Sequence, residues 1–140
     1  MASVFSKIIA GELPGRFVWK DEHCVAFLTI APLKPGHTLV VPRDEVDEWQ
    51  DLAPDHFQHL TRVAQCVAKG IQEGFKPLRV GMLIAGLEVP HVHIHVSPIW
   101  NMRDLDFANA ARDPKPRDLD AAAEKLRKAL RDLGYSEVSD

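Results

Sequence analysis

The hydrophobic pattern is most regular between residues 90 and 98, where histidine and β-branched residues alternate. Strict alternation of this kind is typical of a half-buried β-strand. Because successive strand side chains point to opposite faces, we expect the β-branched residues to face the core and the histidines to share the other face. The β-branched residues are Val92, Ile94 and Val96. The histidines are His91, His93 and His95.

The rest of the pattern predicts four more strands, three helices and one long loop. Strands are expected over residues 16–20, 24–30, 37–41, 78–85 and 89–96. Apolar residues recur at steps of three and four over residues 51–75, which predicts a long helix, and shorter helices are expected over 4–10 and 119–133. Residues 101–117 are polar and contain two prolines, so we predict a loop. Because the strands come in runs around one central helix, the expected fold class is α+β, a mainly antiparallel five-stranded sheet with one long central helix and a C-terminal helix.

Length and composition fit one domain over residues 1–140, with a core at about 3–98 and a C-terminal arm and helix at 99–140. The net charge of −3 argues against a dedicated nucleic-acid-binding protein, which is usually basic. No apolar run reaches the roughly 18 residues of a membrane span, and no secretory signal is evident. We therefore expect no membrane partner, a cytoplasmic location, and two free buried thiols, Cys24 and Cys66.

Three histidines on one strand face call for a chemical explanation, because near pH 7 an imidazole can be a nucleophile, a base, an acid or a metal ligand. One hypothesis is catalysis at phosphorus, in which one neutral ring attacks and its neighbours bind phosphate oxygens. A second is a metal site, although the outer two Cα atoms would lie roughly 13 Å apart, so an ion would need a further ligand. A third is a polar strand face without catalytic chemistry. The spacing alone leaves all three open.

The segment 91–97 resembles the signature of the histidine triad family of nucleotide-binding proteins and hydrolases, in which histidine alternates with apolar residues. Ser97 departs mildly from that signature at its last position. Residues 5–14 resemble the family's opening helix, and residues 26–30 and 35–42 resemble its second and third strands. The resemblance covers about residues 3–98 and implies the fold class given above.

The resemblance implies a hydrolase or transferase that acts at the α-phosphorus of nucleoside phosphoramidates, dinucleoside polyphosphates or related conjugates. In this scheme His93 attacks and forms a covalent nucleotidyl-histidine, which water then hydrolyses. His95 contacts the phosphate and assists the leaving group, while His91 and His37 fix the neighbouring ring and complete the site. The implied partners are a purine nucleotide or nucleotide conjugate and a second copy of the chain in a homodimer. The alternative is a non-catalytic nucleotide-binding or regulatory protein that retains the triad.

The resemblance also implies a nucleotide pocket. Its base-binding positions correspond to Val4, Phe5, Ile8, Leu13, Phe27 and Ile30. Thr29 stands where the family usually has a ribose-binding aspartate, and a hydroxyl cannot accept two hydrogen bonds as a carboxylate does. Val80 and Leu87 stand where polar side chains usually lie near the phosphate. Glu88 replaces a small hydroxyl residue, so it is expected to repel a phosphate, to select a cationic leaving group or to point away.

Many members of the family bind structural zinc through a Cys-x-x-Cys near the start, a histidine after the third strand and the first triad histidine. The matching positions here are Ser3, Ser6 and Glu45, so three soft ligands are missing together. We therefore predict no zinc site and no cofactor.

Overall fold

The apolar runs of the sequence become five strands and three helices in the computed structural model, which describes residues 1–140. The strands are β1 (Phe17–Lys20), β2 (Cys24–Leu28), β3 (Thr38–Pro42), β4 (Arg79–Leu83) and β5 (Ile94–Ile99). The helices are α1 (Val4–Ile9), α2 (Pro54–Phe75) and α3 (Pro116–Asp132). Short 3₁₀ turns lie at Trp49–Asp51, Met102–Leu105 and Phe107–Asn109. None of the helices combines the length and the apolar character needed to cross a bilayer.

The five strands form one sheet in the order β1-β2-β3-β5-β4, and every neighbouring pair is antiparallel. This confirms the predicted α+β class with a mainly antiparallel five-stranded sheet. Strand β5 lies between β3 and β4, where His95 is opposite Leu39 on one side and Leu83 on the other. Because both edges of β5 are hydrogen-bonded, the residues that it carries are held rigidly inside the sheet.

The two faces of the sheet are covered unequally. One face packs against α2 and α3 and forms the main core, to which Val92, Ile94 and Val96 belong as predicted. The other face carries a smaller apolar cluster under α1. That cluster consists of Phe5, Val25, Phe27, Leu39 and Val41. The alternation therefore sends the aliphatic residues towards α2 and the histidine rings towards the other face, where the Phe5 ring of α1 packs against His91 and His93.

The predicted strand over residues 89–96 is wrong in its position, because β5 begins only at Ile94 and continues to Ile99. Pro90 has no backbone N–H to donate, and the N–H of Val92 bonds to the carbonyl of Val46, which lies outside the sheet. His91 and His93 therefore lie just before the strand, and only His95 lies within it.

The C-terminal region also differs from the prediction. Helix α3 begins at Pro116 rather than at residue 119, because proline is favoured in the first turn of a helix. The predicted loop over residues 101–117 contains two 3₁₀ turns and is anchored by the buried Asp104. The Asp104 carboxylate accepts a hydrogen bond from the backbone N–H of Trp100 at 2.7 Å and lies 3.5 Å from the Lys34 ammonium. The arm is thus tied to the loop before β3.

Candidate active site

A cavity of about 520 Å³ opens beside the triad, between α1, the end of β2 and the loop before β5. Its volume lies within the roughly 300–1,000 Å³ of small-molecule sites. All the residues predicted to contact a nucleotide line it. They are Val4, Phe5, Ile8, Leu13, Phe27, Thr29, Ile30 and Glu88. His93 and His95 form part of the wall, whereas His37 and His91 lie behind it. A larger hollow of about 670 Å³ between α2 and β4 is lined by no histidine, cysteine or acidic residue, so it lacks the reactive side chains that the triad cavity contains.

His93 is held in one tautomer by the backbone. Its Nδ1 lies 2.7 Å from the carbonyl oxygen of His91, so Nδ1 carries the proton and donates it. The lone pair of Nε2 is therefore free. The side chain is only 3% exposed and packs edge-to-face on Phe5, with ring centroids 4.9 Å apart. A clamped ring with an unprotonated nitrogen beside a cavity is a candidate nucleophile.

His37 and His95 form a directional pair. The backbone N–H of Leu33 donates to Nδ1 of His37 at 3.0 Å, so Nε2 of His37 must carry the proton. This Nε2 lies 2.9 Å from Nδ1 of His95 and donates to it. The proton of neutral His95 is consequently on Nε2, which makes that ring a hydrogen-bond donor at the cavity wall.

Burial keeps the supporting rings neutral. It lowers the pKa of His37 to about 3, with a further contribution from the positive charges that His95 and His93 can carry. Burial and then His93 lower the pKa of His95 to about 4. Burial also lowers the pKa of His91, although the Pro42 carbonyl and the Glu45 charge oppose it. At pH 7 the three rings are neutral, as the tautomers derived from the hydrogen bonds require.

His91 is held from both sides. Its Nε2 donates to the carbonyl oxygen of Pro42 at 2.8 Å, which leaves Nδ1 to accept from the Ser3 hydroxyl at 2.7 Å. Oε1 of Glu45 accepts from the backbone N–H of Ser3 at 2.6 Å and from the Ser6 hydroxyl at 2.7 Å. These hydrogen bonds connect the start of α1 to the first triad histidine.

The same four residues, Ser3, Ser6, Glu45 and His91, stand at the positions of the zinc site that the resemblance implies. Their donor set is two hydroxyls, a carboxylate and an imidazole, without the thiolates that structural zinc sites of this kind use. Their polar atoms already satisfy one another. These residues do not fit a structural zinc ion, and hydrogen bonds perform the linking role instead.

The four positions at which the chain departs from the family pattern near the nucleotide differ in their surroundings. The Thr29 hydroxyl accepts from the backbone N–H of Ala31 at 3.1 Å, so part of its acceptor capacity is already used. Glu88 is exposed at the cavity rim and has no hydrogen bond or ion pair, and Leu87 is 93% exposed. The prediction for Val80 is wrong: it packs against the main core beside α2, because the pairing of β4 with β5 turns it away from the histidines.

Sequence analysis missed two residues at the site. The Phe107 ring lies with its centroid 4.8 Å from that of His95 and 6.4 Å from that of His37, so it covers the pair from the C-terminal arm. Arg16 lines the cavity and pairs with Asp120 of α3 at 2.7 Å. The only sequence signal for Phe107 is one aromatic residue in a polar segment, which does not predict a contact.

The chain is similar in sequence and fold to proteins of one family. Residues 10–101 match the model of the HIT domain. A zinc-bound histidine triad family protein from Mycobacterium smegmatis is 30% identical, with a TM-score of 0.82 over 95% of this chain and 96% of that one. A hypothetical histidine triad nucleotide-binding protein from Sulfolobus tokodaii is 25% identical, with a TM-score of 0.81 over 92% of each chain. A HIT family hydrolase from Legionella pneumophila is 28% identical, with a TM-score of 0.59 over 69% of this chain and 91% of that one.

Proposed function

Because the chain belongs to the histidine triad family, we propose that it is a nucleotide-binding hydrolase or transferase acting at the α-phosphorus of nucleoside phosphoramidates or related nucleotide conjugates. The observation that carries this proposal is the protonation pattern of the site. His93 has an unprotonated Nε2, and His95 has an Nε2–H donor in the wall of the same cavity. One ring is suited to attack phosphorus while the other stabilises the charge that develops on the phosphate oxygens.

In the first step the Nε2 lone pair of His93 forms a bond to the α-phosphorus, and the bond from phosphorus to the leaving amine breaks. The leaving nitrogen keeps the bonding electron pair and takes one proton from solvent at the mouth of the cavity. The carbonyl of His91 stabilises the positive charge on the His93 ring through its Nδ1–H. Water then forms a bond to the same phosphorus and loses a proton to solvent, while the bond from phosphorus to Nε2 breaks and its electron pair returns to the neutral His93 ring. His95 donates a hydrogen bond to the phosphate in both steps.

The lining of the cavity suits the two parts of a nucleotide. Phe5, Ile8 and Phe27 give the cavity apolar surface, which favours a planar base such as a purine. His93 and His95 supply polar groups where a phosphate would lie. The descriptions of the Sulfolobus relative as nucleotide-binding and of the Legionella relative as a hydrolase support the same ligand and reaction class.

The test is capture of the nucleotidyl-histidine. The protein is mixed briefly with an adenosine phosphoramidate and quenched in denaturant without acid, since acid cleaves phosphorus–nitrogen bonds. Intact mass and peptide mapping are expected to show one nucleotidyl group on His93. The His93→Ala variant is expected to form no adduct, whereas His56→Ala, at the start of α2, is expected to form it. Turnover without an adduct, or an adduct in His93→Ala, would overturn the mechanism.

The same assay separates the catalytic proposal from the non-catalytic alternative. Thr29 and Glu88, both at the cavity, differ from the family pattern and are the observations that favour the alternative. Saturable binding of mononucleotides together with no turnover of phosphoramidates or dinucleoside polyphosphates would support a binding or regulatory protein.

We also propose that two copies pair through the edge of the sheet. β4 is an edge strand, and Leu78 and Met82 at this edge are 62% and 58% exposed. An edge with exposed apolar side chains favours pairing with another chain. Light scattering after size-exclusion chromatography is expected to give the dimer mass for the wild type and for Leu133→Lys, a control at another exposed site, but the monomer mass for Met82→Lys. A monomeric wild type would overturn this proposal.

A further inference from the structure

A second group of metal-ligating side chains lies away from the triad, where the turn between β1 and β2 meets α2. Asp21 lies in the turn, Cys24 begins β2, and His59 lies in the first half of α2. One carboxylate oxygen, one sulfur and one imidazole nitrogen from these residues all lie within 4.8 Å of one another. Cys24 faces the main core, so this group is on the opposite side of the sheet from the triad cavity.

We propose that Asp21, Cys24 and His59 bind a zinc-like divalent cation, with water in the fourth position. A thiolate, an imidazole and a carboxylate are the three ligand types that zinc takes in proteins. This proposal does not depend on the function proposed for the triad.

One ligand distance already fits a tetrahedral ion, and a second requires a small movement. Zinc bonds of roughly 2.0–2.3 Å place tetrahedral ligand atoms roughly 3.3–3.8 Å apart. The Cys24 sulfur lies 3.6 Å from Oδ2 of Asp21, which already matches. Nε2 of His59 lies 2.8 Å from the same oxygen, so this pair must separate by about half an ångström to accept an ion between them. His59 lies on the helix surface with 26% of its side chain exposed, so a small rotation is available to it.

Three side-chain hydrogens now point at Oδ2 of Asp21, the oxygen that would bind the cation. The Cys24 thiol, Nε2–H of His59 and Nε1–H of Trp19 all donate to this oxygen, and the bond from Trp19, at 2.8 Å, is kept when a cation binds. Binding releases the thiol proton to solvent and moves the His59 proton to Nδ1, so that Nε2 can coordinate. The other carboxylate oxygen keeps its hydrogen bonds from the backbone N–H groups of His23 and Cys24, at 2.8 Å and 2.9 Å. The turn is therefore organised in advance of metal binding.

The exposed His23 lies beside this group, and its ring centroid is 5.3 Å from that of His59. Cys66, the other cysteine, is also free and buried, as predicted from the sequence, but it has no such partners. His56 contacts His23 and pairs with Asp44 rather than with Asp21. Cys66 is therefore a matched control for the Cys24 thiol, and His56 is one for the His59 imidazole.

The experiment uses tag-free, chelator-treated protein titrated with Co²⁺, whose charge-transfer absorption reports a thiolate ligand and whose visible bands report tetrahedral geometry. One equivalent is expected to produce both signals, and added Zn²⁺ is expected to remove them. Cys24→Ser is expected to abolish the thiolate band, and His59→Gln to weaken binding by about tenfold or more. Cys66→Ser and His56→Gln are expected to titrate like the wild type.

Thermal unfolding in chelator shows whether each variant folds, and Zn²⁺ is expected to raise the Tm of the wild type and of Cys66→Ser but not of Cys24→Ser. If Cys24→Ser does not fold, the Co²⁺ affinities of His59→Gln and His56→Gln are compared instead, because both positions are on the surface of α2. No thiolate band in the wild type, a band that persists in Cys24→Ser, or equal Co²⁺ affinity of His59→Gln and the wild type would each overturn the proposal.

Discussion

The seven histidines of this chain fall into two groups that differ in what holds them. The buried group, on the α1 side of the sheet, consists of His37, His91, His93 and His95. The surface group, around the β1–β2 turn and the start of α2, consists of His23, His56 and His59. In the surface group His59 lies 2.8 Å from the carboxylate of Asp21, and His56 lies 3.6 Å from that of Asp44. No ring of the buried group hydrogen-bonds to a carboxylate.

The difference shows that the hydrogen-bond partner, rather than the residue type, decides what each ring can do. A carboxylate places a negative charge beside the ring, where it can pair with an imidazolium or share a bound cation with a neutral imidazole. A backbone carbonyl fixes the position of the proton without adding charge, as the His91 carbonyl does for His93. The buried group is therefore suited to nucleophilic chemistry and the surface group to ion pairing or metal binding.

The largest effect is expected from replacing His93, the proposed nucleophile of the buried group. His93→Ala is expected to lower kcat by at least about 10⁴-fold, because it removes the attacking nitrogen. The affinity for a mononucleotide is expected to change by only a few-fold, since the ring supplies chemistry more than binding. Steady-state turnover of an adenosine phosphoramidate and calorimetric binding of AMP measure the two quantities. His56→Ala, from the surface group, is the control, and near-wild-type turnover of His93→Ala would contradict the assignment.

The pH dependence of the free energy of unfolding is expected to distinguish the buried histidines from the surface histidines. His37 and His95 have pKa values lowered from 6.5 to about 3 and about 4, so below pH 6.5 the unfolded chain binds protons that the folded chain does not. Their contribution is present in full above pH 6.5 and is lost as the pH falls towards 4. Over this range each of the two rings is expected to lower the free energy of unfolding by about 3 kcal/mol, at about 1.4 kcal/mol per pKa unit.

Urea unfolding at a series of pH values measures this slope. His37→Gln is expected to have a shallower slope between pH 6.5 and 4, whereas His56→Gln is expected to keep the slope of the wild type. Equal slopes in all three proteins would mean that the buried rings are not the source of the pH dependence.

A smaller effect on turnover is expected at His37, whose ring positions that of His95. His37→Leu removes the donor to Nδ1 of His95, so His95 can place its proton on the wrong nitrogen. We expect kcat to fall by roughly 10–100-fold with little change in KM, and the pH profile to change shape. His37→Gln supplies an amide donor and is expected to retain more activity. If both variants turn over at the wild-type rate, His37 does not position His95.

Features that follow from local pattern could be predicted from the sequence, and features that follow from tertiary pairing could not. Alternation correctly placed Val92, Ile94 and Val96 in the main core. The tautomers depend on partners that the fold supplies, such as the carbonyl of Pro42, which is 49 positions from His91.

Dependence on tertiary pairing also explains the wrong predictions from the sequence. The side of the sheet that Val80 faces depends on the register between β4 and β5, which no local pattern specifies. Phe107 contacts His95 from an arm that hydrogen bonds to Asp104 hold in place. Strand β5 begins later than predicted because Pro90 and Val92 do not pair within the sheet.

Adding a carboxylate at position 29, which lines the cavity, tests whether the pocket, as distinct from the histidine rings, sets the ligand preference. Thr29→Asp is expected to strengthen binding of AMP relative to its 2′-deoxy analogue by about 1 kcal/mol, or about fivefold, through a charge-assisted hydrogen bond. Thr29→Val, which lacks an acceptor, is the matched control. Calorimetry with both nucleotides measures the ratio, and an unchanged ratio in Thr29→Asp would mean that this position does not face the ribose.

The smallest expected effect concerns Glu88, the only acidic residue that lines the cavity. If its carboxylate faces the leaving group, it favours an ammonium-bearing amine and disfavours a second phosphate. Because the side chain is exposed and screened, Glu88→Gln is expected to change the preference for a lysyl phosphoramidate over a dinucleoside polyphosphate by only about two- to fivefold, mainly by improving the anionic substrate. The ratio of kcat/KM for the two substrates, measured at low and moderate salt, reports this, and the effect is expected to shrink as salt increases. Glu88→Asp keeps the charge and is expected to keep the preference. A ratio that stays constant in Glu88→Gln at both salt concentrations would remove the carboxylate from substrate selection while leaving the assignment of the buried histidines unaffected.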